Sequence, residues 1–302
     1  MLNKQFFSRI MRLGHILRKN YSIARIDINR IPMFKQIEIE TINRCNGKCS
    51  FCPVNVNEPQ REYAKMSEEL FRKIISDLVR IDYKGELCMS SNNEPFLDGR
   101  IPAFIKYAKE SLPKASLYLW SNGTIVSPDT IIDILPYLSN IYIDNYSDDM
   151  HLIENVKRII SKLEESEHSD DIWIVDDITK LDSGNRNKSE KTAKVIVFNR
   201  DINEILSSRG GQAPNKKDDS QKARKISKVK CERPFECMVI RPTGKVSLCC
   251  CDALGKYEMG DVRENSLQDI WSNSQEYIRV RRHMQKTGRK GLLLCEECDF
   301  GD

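Results

Sequence analysis

From Phe34 onward, short runs of alternating apolar and polar residues trade places with stretches whose apolar residues recur at helical spacing. Strands are predicted near 34–42, 85–91, 115–122, 140–146, 172–177 and 194–199, and helices near 66–80, 100–111, 127–138 and 150–166. The first helix illustrates the pattern: Ser67, Glu68 and Glu69 form an N-terminal start, and Leu70, Ile74, Ile75 and Leu78 follow on one face. Strand and helix in alternation predict an α/β fold of parallel β/α units, closing into a barrel or part of one, with functional groups at the C-terminal ends of strands. In the first strand Ile37 and Ile39 share one face while Glu38 and Glu40 share the other. One face of a closed sheet meets the helices, so both carboxylates are expected in the lumen, there to bind a polar substrate or to neutralise a nearby Lys or Arg.

Outside this series the pattern changes. Residues 1–33 set Phe6, Phe7, Ile10, Met11, Leu13 and Leu17 at helical spacing against Lys4, Arg9, Arg12, Arg18 and Lys19, a basic amphipathic extension. It could rest on an anionic membrane surface, but packing on the protein's own body is the expectation; its Arg-rich start also resembles an organelle transit peptide. Residues 164–193 turn acidic and then polar through Ser183, Gly184 and Asn185, a solvated excursion around one short strand. Between 215 and 230, seven Lys or Arg stand against two Asp with no apolar period. The expected organisation is an extension (1–33), a core (34–210), a basic linker (211–230) and a small C-terminal domain (231–302).

Composition narrows the class. The 302 residues are 40% hydrophobic and 30% charged, and no apolar run approaches the ~20 residues that span a bilayer. A net charge of +4 gives no case for nucleic acid as a partner. Eleven cysteines come without a secretory leader, in spacings that suit metal better than a disulfide framework, so reduced thiols and a cytoplasmic location are expected.

Cys45, Cys49 and Cys52 are spaced C-x3-C-x2-C directly after the first strand. Three thiolates in one loop can hold three corners of a cubic iron–sulfur cluster, leaving one iron open to a substrate or cofactor. A zinc loop or a cluster of buried thiols is the plainer alternative. At these residues the chain resembles the radical S-adenosylmethionine (SAM) enzymes, whose signature is C-x3-C-x-aromatic-C, with Phe51 in the aromatic slot. The resemblance implies a partial (β/α)6 barrel, a [4Fe-4S] cluster that binds SAM, and reductive cleavage of SAM to a 5'-deoxyadenosyl radical that takes hydrogen from the substrate. It also implies Phe51 beside the adenine and an external electron donor such as a flavodoxin or ferredoxin.

Further residues carry the same resemblance. Ser90-Ser91-Asn92-Asn93-Glu94-Pro95 stands where the family shows Gly-Gly-Glu-Pro around the SAM amino group, which assigns Asn93 and Glu94 to the cofactor; Asn92 and Asn93 depart from the pattern, Asn being the residue after Gly most tolerant of a left-handed backbone. Ser121-Asn122-Gly123 is similar to the family's Thr-Asn-Gly, and a hydroxyl and an amide at a strand end suit sugar hydroxyls. Asp144 and Asn145 are candidates for the SAM ribose. Arg209, in Ser208-Arg209-Gly210-Gly211, is a candidate substrate contact with five donors, and Glu40 is a second catalytic candidate. The plain readings of these residues are turns and an ordinary ion pair.

Near the C-terminus Cys231 is followed after seventeen residues by Cys249, and Cys295-Glu296-Glu297-Cys298 closes the set. Four such thiolates can enclose a complete cluster or a zinc ion. The stretch from Cys231 through Gly244 to Cys249 resembles the opening of a SPASM domain, and the whole looks like its shortened "twitch" form, which implies an auxiliary [4Fe-4S] cluster on Cys231, Cys249, Cys295 and Cys298. Because Cys249, Cys250 and Cys251 are adjacent, the ligand register stays open. Cys88 and Cys237 read as core thiols. The function expected is a radical SAM oxidoreductase acting on a small polyol, aminocyclitol or sugar, with the auxiliary cluster accepting an electron. The alternatives are an epimerase, a dehydratase, a peptide-modifying enzyme, or a non-catalytic metal-binding protein that kept the fold.

Overall fold

The computed structural model describes residues 14, 16–54, 61–175, 193–203, 207–214 and 229–300. Expectations that fall on 1–13, on 176–192 with Ser183, Gly184 and Asn185, and on the basic stretch 215–228 lie outside them.

Nine strands build one sheet among the described residues: β1 (Gln36–Ile39), β2 (Glu86–Cys88), β3 (Ser116–Ser121), β4 (Asn140–Ser147), β5 (Ile172–Val175), β6 (Val195–Asp201), β7 (Cys237–Ile240), β8 (Lys245–Ser247) and β9 (Glu258–Asp261), in the order β5-β6-β4-β3-β2-β1-β7-β8-β9. Every pairing from β5 to β7 is parallel, and β8 and β9 add an antiparallel ribbon. The sheet does not close, so the barrel is partial, as expected. The C-terminal segment does not form a sheet of its own: β7 runs parallel to β1 with Gln36 opposite Cys237 and Glu38 opposite Val239.

Helices α1 (Glu68–Arg80), α2 (Ile101–Ser111), α3 (Pro128–Ile134) and α4 (Glu154–Glu164) follow β1 to β4 in turn. Ser67 caps α1 by accepting from the Leu70 N–H, and Ser127 caps α3 by accepting from Thr130. The stripe that α1 buries is Phe71, Ile74, Ile75 and Leu78, with Phe71 stacked on Phe104 of α2 at 4.1 Å between centroids. Each such side chain contributes roughly 1.5–3 kcal/mol on burial. Ile37, Ile39, Leu87, Leu117, Leu119, Ile141 and Ile143 meet these helices in one continuous core. The opposite face of the same strands is therefore left to line the lumen.

The first strand is shorter than its pattern. Past Ile39 the chain leaves the sheet, with Ile42 making an isolated antiparallel bridge to Lys65. Short helices α5 (Arg233–Glu236) and α6 (Leu267–Asn273) and the longer α7 (Gln275–Thr287) complete the fold. The described part of the N-terminal extension, helical over 16–24, packs on this C-terminal layer. Ile23 is buried, Gln285 of α7 donates to the carbonyls of Ile23 and Ile26, and Lys19 pairs with Glu232 at 3.3 Å. No helix among the described residues is long and apolar enough to cross a membrane.

Candidate active site

The loop that follows β1 turns three thiols onto one small cavity of about 120 Å3, lined by Cys45, Cys49 and Cys52 together with Glu94, Asn122 and Arg209. Gly47 sits at the mouth of the cup. A Cβ there would stand 3.5 Å from the Cys45 sulfur and 3.7 Å from the Cys49 sulfur, in space the thiols enclose. The Gly47 N–H points at Cys45 Sγ (3.4 Å), and the Asn122 amide approaches the same sulfur at 3.9 Å. Burial pushes the Cys45 and Cys49 thiols up to about 12. Metal binding at such a cup displaces protons as the thiols become thiolates.

Glu94 locks the ends of β2 and β3 together. Its carboxylate accepts from Ser121 Oγ (2.9 Å), Asn122 N–H (2.8 Å) and Phe96 N–H (3.2 Å), and burial raises it to about 7 against these lowering bonds. Asn93 accepts from the Ser91 N–H at 3.0 Å, while its own Nδ2 is buried without a partner in the wall of the thiol cavity. An unmet buried donor costs about 1–3 kcal/mol, and a cofactor carboxylate is the kind of group that meets one. The three thiols, the amide donor and the carboxylate thus fit an iron–sulfur cluster with SAM at its open corner. The turn needs no glycine: positive φ among described non-glycine residues occurs at Asp82, Met150 and Arg209, and at neither Asn92 nor Asn93. The expectation of a left-handed turn there is corrected.

Phe51 is buried against Tyr146, with ring centroids 5.3 Å apart. Asp144 lines both the thiol cavity and the lumen and is paired with Arg200 at 2.9 Å. Its neighbour Asn145 does not join it, which corrects the ribose expectation for that residue. Strand parity turns Asn145 away with Ile141 and Ile143, where it bonds the His151 carbonyl, the Asn199 side chain and the Ile153 N–H.

The lumen is a cavity of about 640 Å3. Glu38 from β1, Tyr118 and Trp120 from β3, and Tyr142 from β4 line it, together with Arg209 and Arg233. Tyr142, Trp120 and Phe198 form a stacked aromatic wall, with Trp120 and Tyr142 at 4.4 Å. Glu38 accepts from Ser91 Oγ (2.7 Å) and Gln36 Nε2 (3.1 Å), and burial, reinforced by the nearby Cys250 sulfur, raises it to about 8. Glu40 is corrected. Lying past the end of β1, it pairs with buried Arg61 at 3.4 Å and does not line the lumen, so the neutralising role holds for it. Arg209 does reach the lumen, held there by bonds to Asn92 (3.1 Å) and the Cys250 carbonyl (3.3 Å).

Sequence reasoning passed over Glu38 in favour of its neighbour, although strand parity named both. It also passed over Tyr118 and Trp120 of β3, a period-two signal on the face opposite Leu117 and Leu119. Arg233 carries no local signal, being brought to the lumen by the pairing of β7 with β1.

The second thiol set also converges. Cys231, Cys249, Cys251, Cys295 and Cys298 line one small apolar cavity with Arg289, which is fully buried and donates to the carbonyls of Cys298 (2.6 Å) and Phe300 (2.7 Å). Cys250 instead lines the lumen, which leaves Cys249 and Cys251 as the triplet's candidates. Among the described residues no three His, Cys, Asp or Glu side chains are arranged to hold a single metal ion. Cys88 and Cys237 are buried, Cys88 in the lumen wall.

Comparison with known proteins agrees with this geometry. Residues 39–168 match the radical SAM superfamily model and residues 231–299 match the SPASM iron–sulfur cluster-binding domain. The S-adenosyl-L-methionine-dependent 2-deoxy-scyllo-inosamine dehydrogenase of Niallia circulans is 24% identical over 268 residues, covering 88% of this chain and 93% of the relative. The fold is similar to the crystal structure of BtrN in complex with AdoMet and 2-DOIA (TM-score 0.65, 22% identity, 89% of this chain and 94% of that one) and to BtrN in an open conformation (TM-score 0.60, 18% identity, 89% and 93%). With its thiol cup at the end of the first barrel strand and a second thiol set behind the lumen, the chain carries a radical SAM domain over residues 39–168 and a SPASM iron–sulfur cluster-binding domain over residues 231–299, and is an iron–sulfur enzyme that uses SAM.

Proposed function

We propose that the enzyme oxidises a hydroxyl-bearing carbon of a small polyol or aminocyclitol. When bound, the Cys45–Cys52 cluster and SAM supply a hydrogen-abstracting radical, and an auxiliary cluster in the C-terminal set supplies an electron acceptor. The observation that carries this reading is the position of the lumen between the two. Ser91, Trp120, Asp144, Tyr146 and Arg209 line both it and the thiol cavity, and Cys251 lines both it and the auxiliary cavity.

Converting an alcohol to a ketone removes one hydrogen atom, one proton and one electron; the radical would take the first, Glu38 in its carboxylate form the second, and the auxiliary cluster the third. Arg209 and Arg233 present donors to substrate oxygens, and the Trp120–Tyr142 wall suits the apolar faces of a ring. Glu38 is a buried lumen carboxyl whose high pKa a substrate amine would bring down, each group stabilising the charge of the other. The similarity to the inosamine dehydrogenase supports the same substrate class. Electrons for SAM cleavage would come from a flavodoxin or ferredoxin.

A second reading rests on Cys250, a lumen thiol outside the auxiliary cavity. Once protonated to the thiol, that side chain can return a hydrogen atom to the substrate carbon, the auxiliary cluster then reducing the sulfur radical left behind, which makes an epimerase. Carbon-deuterated polyols and aminocyclitols, incubated with oxygen-free enzyme and reductant, test both. Deuterium in 5'-deoxyadenosine together with a ketone product supports oxidation; an unoxidised product carrying solvent hydrogen at that carbon supports epimerisation. No deuterium transfer from any of them rejects the substrate class.

A further inference from the structure

A second cavity of about 280 Å3 opens where the chain after the cysteine loop meets the β7–β9 ribbon, and it shares no lining residue with the lumen. Asn43, Arg61 and Glu62 approach from one side, and Arg241, Ser247 and Gly255 from the other. Its donors are unusually short of acceptors. Arg61 is only 8% exposed, and its Nε and Nη1 have no hydrogen-bond partner, while Nη2 alone reaches Glu40 at 3.4 Å. Ser247 is 2% exposed with its Oγ likewise unpartnered.

Arg241 completes the wall. Its guanidinium lies over Gly255, where a Cβ would fall 1.6 Å from Nη1. Burial also holds the Arg241 pKa below the ordinary arginine value, with Glu40 opposing. Each unmet buried donor costs about 1–3 kcal/mol; a single water accepts from two of them at most and brings no charge to face the guanidinium groups. A ligand offering acceptors alone relieves all of it. Glu62 and Glu258 also line the cavity, Glu258 paired with Lys245 at 2.7 Å, and Glu40 lies behind Arg61. Those carboxylates disfavour a highly charged guest such as a polyphosphate.

We propose that this seam cavity binds one small oxyanion group, a carboxylate or a phosphate, held by Arg61, Arg241 and Ser247. Guanidinium groups suit such a ligand because their fixed fork pairs with two oxygens at once. Bound there, the anion bridges the segment that matches the radical SAM model to the segment that matches the SPASM model. The site is independent of the polyol or aminocyclitol reading.

Calorimetric titration of the reconstituted, oxygen-free enzyme at fixed ionic strength tests it, with inorganic phosphate and acetate as separate probes and chloride as the salt control. Saturable binding of one or both is expected, with the two competing if both bind, and the stronger probe naming the source. Affinity should fall at least about tenfold in Arg241→Gln and in Ser247→Ala. Ser247→Ala removes a hydroxyl that has no protein partner, so it should fold as the parent does, and SAM cleavage should be unchanged in it. Absence of saturable binding by both probes up to about 10 mM, or equal binding by the parent and both variants, would overturn the proposal.

Discussion

Arg209 donates from Nη1 to the side-chain oxygen of Asn92 at 3.1 Å, and both residues donate to the backbone carbonyl of Cys250, at 3.3 Å and 3.1 Å. One carbonyl of the cysteine triplet thereby joins the turn after β2 to the glycine-rich loop around residue 209. Arg209 takes φ 49 to do so, a region that disfavours L-residues by roughly 1–2 kcal/mol. Asn92, which stands where the family has glycine, supplies an amide that a glycine could not.

Arg209→Lys is the sharpest probe of this junction. Lysine keeps the charge but replaces a fork of donors with a point charge, so it cannot hold Asn92, Cys250 and a substrate oxygen together. Product formation should drop about tenfold to a hundredfold, while 5'-deoxyadenosine formed without substrate stays within about twofold. The ratio of product to 5'-deoxyadenosine measures this, and an unchanged ratio would remove Arg209 from substrate handling.

Glu38 gives a pH dependence with a definite sign. Burial, and then the Cys250 sulfur, lift its carboxyl from 4.5 to about 8, against the Ser91 bond and the Arg233 and Arg209 charges. The unfolded chain releases this proton near 4.5 and the folded chain near 8, so between those values the unfolded state binds fewer protons and stability falls as pH rises. The contribution is fully present below the lower value and lost above the upper one. Glu40 and Glu94, both raised by burial to about 7, slope the same way in part of this window, so the comparison must be between parent and Glu38→Gln. Melting curves from about pH 5 to about pH 9 should show the parent losing on the order of a few kcal/mol more than the variant. Parallel curves would contradict the raised pKa.

Iron content separates the thiol sets. Cys49→Ala should lose SAM cleavage and keep about four of about eight irons, and Cys298→Ala should lose the other four and retain SAM cleavage. Cys250→Ala should keep all of them, because that side chain faces the lumen. Iron assay and the EPR of the reduced protein read the result. Loss of iron in Cys250→Ala would reverse the assignment within the triplet.

What could be read from the chain alone followed from periodicity. Two-residue alternation in β4 sets Ile141 and Ile143 on one face and Tyr142, Asp144 and Tyr146 on the other, and the structure turns the first against the helices and the second to the lumen. The first thiol set was marked by its local spacing, and the second, spread over 231–298, by the short motifs at its two ends. Glu40 was misplaced because alternation governs a side chain only while the strand lasts, and β1 ends at Ile39. Arg61, Arg233 and the parallel pairing of β7 with β1 left no trace in any short window, since each depends on residues far apart in sequence. The C-terminal cysteines suggested a separate domain, yet their strands extend the barrel sheet.

Asn145 shows how parity separates a structural role from a functional one. It is fully buried, its Nδ2 bonds the His151 carbonyl (3.0 Å) and Asn199 Oδ1 (2.8 Å), and its Oδ1 accepts from Ile153 N–H (2.8 Å), the residue that caps α4. Asn145→Ala strands these partners away from water, so a loss on the order of 2–4 kcal/mol is expected. Asp144, one residue earlier, lines the thiol cavity and the lumen. Its replacement by Ala should weaken SAM binding several-fold while costing less stability than the Asn145 change. Denaturant melts and SAM titrations on both variants decide the matter. Weakened SAM binding in Asn145→Ala, with stability intact, would mean that the residue acts on the cofactor and that the parity argument fails at this strand.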